Sequence, residues 1–256
     1  MNATRGRLVL SAALALALAV AGCGGRAPEK RDPQSETARK MRMAQAYLGA
    51  GRNAEAIDVM DEAVREAPAN AGLRNFYGQV CFVAGRHAEA EAAFRKALEL
   101  DPFLGDAHNN LGALYDRMGR QDEAEREFRL AADDPAYPTP EKALLNLGLL
   151  YASQGRDEEA IRVLRKAVEI DRKYYRAHYE LASLLDKGGS IEEAVREYVV
   201  AAPDYQASGE YHYRVGFAYF RLGERAKARE SLLRAIEVSP GSEAAARSDE
   251  VLKLLR

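Results

Sequence analysis

The 256 residues include no tryptophan, only two cysteines and no surplus of charge, 37 Lys and Arg standing against 39 Asp and Glu. A near-zero sum excludes a nucleic-acid binder, which carries a basic excess to meet phosphate. Neither half holds a block of five like charges, so there is no acidic or basic tail. The apolar run Leu8–Ala21 is 14 residues long with one interruption, Ser11, and a bilayer span needs about 20. Signatures of catalysis are missing too: no His-Glu-x-x-His, no Gly-x-Ser-x-Gly, no phosphate-cradling glycine loop. What remains is a helix-leaning globular chain, 47 % apolar and 30 % charged.

The N-terminus is not fold. Arg5 and Arg7 form a positive region ahead of the apolar run, as in a signal peptide. Val20-Ala21-Gly22-Cys23 follows and resembles a bacterial lipobox, in which a branched residue and two small ones precede the cysteine that receives diacylglycerol. The resemblance implies that residues 1–22 are cleaved and that Cys23 is lipidated. That covalent lipid is the only non-protein group expected; no cofactor and no metal are. Gly24 stands where an aspartate would retain an enteric lipoprotein in the inner membrane. The expected location is therefore the periplasmic face of the outer membrane, with the membrane contacted through the anchor. Residues 23–36, with Gly24, Gly25, Pro28 and Pro33, read as the lipidated cysteine and a flexible tether. At ~3.3 Å per residue the tether reaches about 40 Å.

From residue 37 the sequence repeats. With position 1 at residues 37, 71, 105, 141, 175 and 209, the step is 34 residues except for one of 36. Position 8 is small throughout (Ala44, Gly78, Gly112, Gly148, Ala182, Gly216), and position 20 is always alanine, from Ala56 to Ala228. Position 27 is also always alanine, and position 24 is always large: Met60, Phe94, Phe128, Leu164, Tyr198 and Leu232. Position 15 is glycine in all six units, and position 32 is proline in three, Pro68, Pro102 and Pro240.

This pattern resembles the tetratricopeptide repeat over residues 37–240. The implied fold is all-α, a superhelix of six helix-turn-helix units closed by a capping helix in residues 241–256. The physics agrees. Glycine at position 15 ends the first helix of each unit in a left-handed conformation, and proline at position 32 stops the second. Small residues let the helices approach while the large residue at 24 fills the wedge. One such pair cannot bury its apolar face alone, so units stack and the end of the stack needs a cap. Cys81 falls at position 11, elsewhere Tyr or Leu, and reads as a packing residue.

No constellation suggests an enzyme. His108, His178 and His212 all fall at position 4 of separate units, too far apart to converge on one metal ion. Acidic pairs such as Asp122-Glu123 sit at helix starts, where they complement the dipole. Neither a small-molecule substrate nor nucleic acid is expected.

The repeat family uses positions 2, 5, 9, 12 and 13 of the first helices to line a concave groove. Carried onto this chain, the expected partner-binding residues are Met41, Gln45, Leu48, Asn75, Gln79, Phe82, Asn109, Leu145, Leu149, Tyr179, Tyr213, Phe217 and Phe220. The Lys/Asn succession of repeats that grip a C-terminal carboxylate is missing. An apolar segment or amphipathic helix fits better, with Asn75, Asn109, Asn110 and Asn146 available to a peptide backbone.

The 36-residue step reads Asp133-Asp134-Pro135-Ala136-Tyr137-Pro138-Thr139-Pro140-Glu141, and its three prolines impose an extended connection. A lipobox, six units and a Tyr-Pro insertion ahead of Asn146-Leu147-Gly148 together resemble the type IV pilus pilotin lipoproteins. That resemblance implies a partner, the secretin subunit, whose outer-membrane localisation and multimerisation the protein promotes. A general periplasmic adaptor, serving proteases, cell-wall enzymes or outer-membrane protein assembly, is the alternative.

Overall fold

The computed structural model describes residues 33–255, with side chains from residue 36. The segment read as a signal peptide, Cys23 and most of the segment read as a tether lie outside the described residues. Among those described there are thirteen α-helices and no strand. The first helices of the six units are α1 (Pro33–Gly49), α3 (Ala71–Val83), α5 (Gly105–Arg117), α7 (Pro140–Ser153), α9 (Tyr175–Lys187) and α11 (Gly209–Arg221). The second helices are α2 (Asn53–Glu66), α4 (His87–Leu100), α6 (Gln121–Asp133), α8 (Asp157–Ile170), α10 (Ile191–Tyr205) and α12 (Arg225–Val238). The cap, α13 (Glu243–Leu254), packs on α11 and α12. Helix α1 begins at Pro33, four residues ahead of position 1 of its unit and inside the segment read as tether. Proline is well placed in a first turn, where its missing N–H leaves no bond unmade.

Each unit is an antiparallel helical hairpin whose second helix packs on the next unit's first helix. The glycines at position 15 all have φ between +71° and +86°, a conformation that other residues adopt at a cost. At position 8 of four units a β-carbon would strike the large residue at position 24. The built distance is 2.6 Å from Gly78 to Phe94, 2.7 Å from Gly112 to Phe128 and from Gly148 to Leu164, and 2.8 Å from Gly216 to Leu232. The alanines at positions 20 and 27 and the large residues at 24 are buried in every unit. The repeat pattern is therefore a packing rule.

A second lattice, not anticipated from the sequence, ties units together. Arg52, Arg120 and Arg156, each one residue after the glycine, fold back over the ring at position 11. Their guanidinium carbons lie 4.5, 4.2 and 4.1 Å from the centroids of Tyr47, Tyr115 and Tyr151. Arg120 also donates to Glu91 of the preceding unit at 2.9 Å, and Arg156 to Glu125 at 2.7 Å. Cys81 replaces the tyrosine in the second unit and is fully buried, as its packing role requires.

The histidines at position 4 do more than pack. His108 sets Nδ1 at 2.7 Å from Glu127 and Nε2 at 3.1 Å from the carbonyl of Pro102 in the preceding unit. His178 repeats this with Glu197 at 2.6 Å and the carbonyl of Arg172 at 3.2 Å. With an acceptor at each nitrogen of His108, the imidazolium is the form that satisfies both, and its pKa is raised.

The first helices pack side by side from α1 through α9. At the last step α11 docks on α10, and side chains span to α9: Arg214 donates to Ser183 at 3.0 Å, Arg221 to Asp186 at 2.6 Å.

Candidate functional site

The face formed by the first helices carries the residues assigned to the groove, and their environments differ. Gln45 is exposed; Met41, Leu48, Gln79, Phe82, Asn109, Leu149, Tyr179, Tyr213, Phe217 and Phe220 are half-buried. Leu145 is not a surface residue. It is 1 % exposed and belongs to the core with Leu144, Leu164 and Leu181. Asn75 is 6 % exposed.

The asparagines are committed to one another. Asn110 donates to the Asn75 carbonyl oxygen at 3.0 Å and Asn146 to that of Asn109 at 2.9 Å. Each bond joins position 5 of one unit to position 6 of the next, so these amides brace neighbouring helices. Their expected availability to a peptide backbone is reduced accordingly, because a buried amide exchanges such a bond only at a cost.

The aromatic residues near the C-terminal end are covered by the cap. Tyr213, Phe217 and Phe220 form a run of stacked rings with centroids 5.9 and 6.1 Å apart. They pack on Val251, Leu252 and Leu255, and the Arg247 guanidinium lies 4.2 Å from the Tyr213 centroid. At the other end Met41 and Leu48 lie against the core of the first unit, and Phe82 meets the His87 ring at 5.9 Å.

Between α9 and α11 the face has a character that sequence spacing did not reveal. Tyr179 stacks on Tyr205 at 4.4 Å, and Tyr205 on Tyr211 at 5.8 Å. Tyr211 donates to the carbonyl of Tyr198 at 2.9 Å, and burial pushes its own phenol up to about 12. The Tyr198 hydroxyl is buried without a hydrogen-bond partner. Burial raises the Glu180 carboxyl above the usual carboxylate range, against the opposing charges of Arg176 and Arg214. This is also the corner where the Arg214 and Arg221 side chains bridge α11 to α9. A signal existed in the sequence: position 31 of the fifth unit is Tyr205, in a helix that runs on through Pro203.

Among the described residues no group of three His, Cys, Asp or Glu side chains is gathered as for a metal ion. No described helix is long and apolar enough to cross a membrane.

Tetratricopeptide-repeat models match residues 41–104, 93–126, 148–189 and 209–242. The chain is a tetratricopeptide-repeat protein. Among solved structures this repeat protein is similar to pilF of Pseudomonas aeruginosa, at 21 % identity and a TM-score of 0.73 over 87 % of this chain and 99 % of that one. It is similar to PilW, a widely conserved type IV pilus biogenesis factor, at 24 % identity and 0.69 over 84 % and 98 %. It also resembles YrrB, a repeat protein with an unusual peptide-binding site, at 22 % and 0.60 over 75 % and 97 %. At these identities the likeness is one of fold. No curated protein matches the repeat protein in sequence.

Proposed function

We propose that the protein is a lipid-anchored scaffold of the outer membrane that binds secretin subunits and promotes their multimerisation for type IV pilus assembly. The observation that carries this reading is one of extent. The match takes in 87 % of this chain with pilF and 84 % with PilW, together with 99 % and 98 % of those chains, whereas YrrB matches 75 % of it. The Val20-Ala21-Gly22-Cys23 sequence supports an anchor at Cys23. Anchoring raises the local concentration of a bound subunit at the membrane and needs no catalysis, which suits a face with bracing amides and stacked rings. Deleting the gene and blotting outer membranes for detergent-resistant secretin multimers tests it. Monomers in place of multimers, corrected by the intact gene and not by a Cys23→Ala copy, are the expected result. Unchanged multimers overturn the pilotin reading and leave a general periplasmic adaptor.

A further inference from the structure

The hairpin topology gives the superhelix two unlike edges. One carries the turns with the position 15 glycines. The opposite edge carries the connections from each second helix to the next unit and the N-termini of the first helices. Contacts fix this arrangement: Lys40, early in α1, pairs with Glu66 at the end of α2 at 2.6 Å, and Tyr179, early in α9, stacks on Tyr205 at the end of α10. Helix α1 overshoots the edge by its four extra residues, about 6 Å at 1.5 Å per residue. Helix α1 therefore starts beyond this edge, and Pro33 is separated from Cys23 by ten backbone steps in sequence, at most about 33 Å of extended backbone.

The same edge exposes apolar side chains that the stack does not use. Phe103, in the connection between α4 and α5, is 78 % exposed, and its backbone N–H is held by the Asp101 carboxylate at 3.1 Å in a tight turn. It borders a recess of about 520 Å³ with Pro102, Leu130 and Pro135 in its walls. Ile170, at the end of α8, is 53 % exposed. We propose that this edge rests on the lipid surface to which the protein is tethered, with the Phe103 ring entering the interfacial layer. An aromatic ring held out on a rigid turn is suited to that layer, where apolar area is buried while the backbone stays hydrated. Arg172 and Lys173 stand exposed on the edge, as do Asp101 and Asp133. The mixture of signs makes insertion of the ring, not charge, the source of contact. The inference rests on the anchor at Cys23.

The chain has no tryptophan, so Phe103→Trp introduces a single indole at an exposed position. Lipid-modified full-length protein carrying this change would be reconstituted on vesicles of phosphatidylethanolamine and phosphatidylglycerol and separated by flotation. The control is Val83→Trp, also exposed at 65 % but on the opposite edge. The expected result is flotation of both variants, a blue-shifted emission at 103 that brominated lipids quench severalfold, and no quenching at 83. Added salt leaves the pattern unchanged. Flotation with no quenching at 103, or with equal quenching at both positions, overturns the inference while the anchor stands. Failure to float removes the anchor itself and the inference with it.

Discussion

The ring of Tyr137 lies over the backbone of Gly105, so close that a β-carbon on the glycine would stand 2.5 Å from ring carbon. The two extra residues of the third unit thus fold a buried tyrosine back onto the start of the unit's own first helix. Its hydroxyl reaches Asp106 at 3.2 Å, and burial pushes the phenol up to about 12. Gly105→Ala should destabilise the protein by about 1–3 kcal/mol, since the ring has packed neighbours on its other side. Combined with Tyr137→Leu, the cost should be less than the sum of the two single changes. Additive costs in chemical denaturation would show that the contact is not made.

His108 should make stability depend on pH. Burial disfavours its charge, but the hydrogen bonds to Glu127 and to the Pro102 carbonyl, with the charges of Glu127 and Asp134, outweigh it and raise its pKa. The folded state then holds the proton more tightly than the unfolded state, whose value is about 6.5. The stabilisation is complete below that pH and is lost as pH rises through the folded value. Melting temperatures of wild type and His108→Gln should differ most below about pH 6.5 and converge at alkaline pH, above the raised folded value. A gap that stays constant over that range would refute the assignment.

Cys81 should be chemically silent in the native state. It is fully buried, and burial raises its thiol pKa, which suppresses the reactive thiolate. In a Cys23→Ser background a thiol reagent at neutral pH should label the chain only after denaturant is added. Fast labelling of folded protein would mean that the second unit opens locally.

The cap should be required for solubility. Val251 is buried among Leu232, Leu255 and the rings of Phe217 and Phe220. Val251→Asp places a carboxylate among these apolar side chains, and should lower stability by more than about 2 kcal/mol. Dye binding to exposed apolar surface should rise at the same time. No change in either measurement would mean that α13 is dispensable.

The repeat was legible because its constraints act within one unit at fixed spacing. Gly112 and Phe128 meet inside a single hairpin, so a small residue and a large one recur sixteen positions apart. The position 15 glycines were legible for the same reason, each ending its own helix. Contacts between units were harder to read. Asn75 and Asn110 are 35 residues apart, and each side chain alone is equally suited to bonding a ligand. The same ambiguity hid the fate of Tyr213, Phe217 and Phe220. The side of a first helix that lines the face also touches the next helix along, and only the position of α13 shows how much of those rings remains open. Leu145 was placed on the face by its position number, but it follows a connection lengthened by two residues and sits within a run of buried leucines. The arginine lattice did leave a trace, an Arg directly after the glycine in four units, which acquires meaning only beside the tyrosine five residues earlier.

The joint between the fifth and sixth units has a mechanical consequence. In the earlier units each new first helix packs on both helices of the unit before it; at the last step α11 packs on α10 and reaches α9 through the side chains of Arg214, Arg221 and the packed tyrosines. The stack from α1 to α9 is therefore the stiff part of the spring. The α11–α13 module hangs from it on a compliant joint, and a load applied along the superhelix is first taken up there.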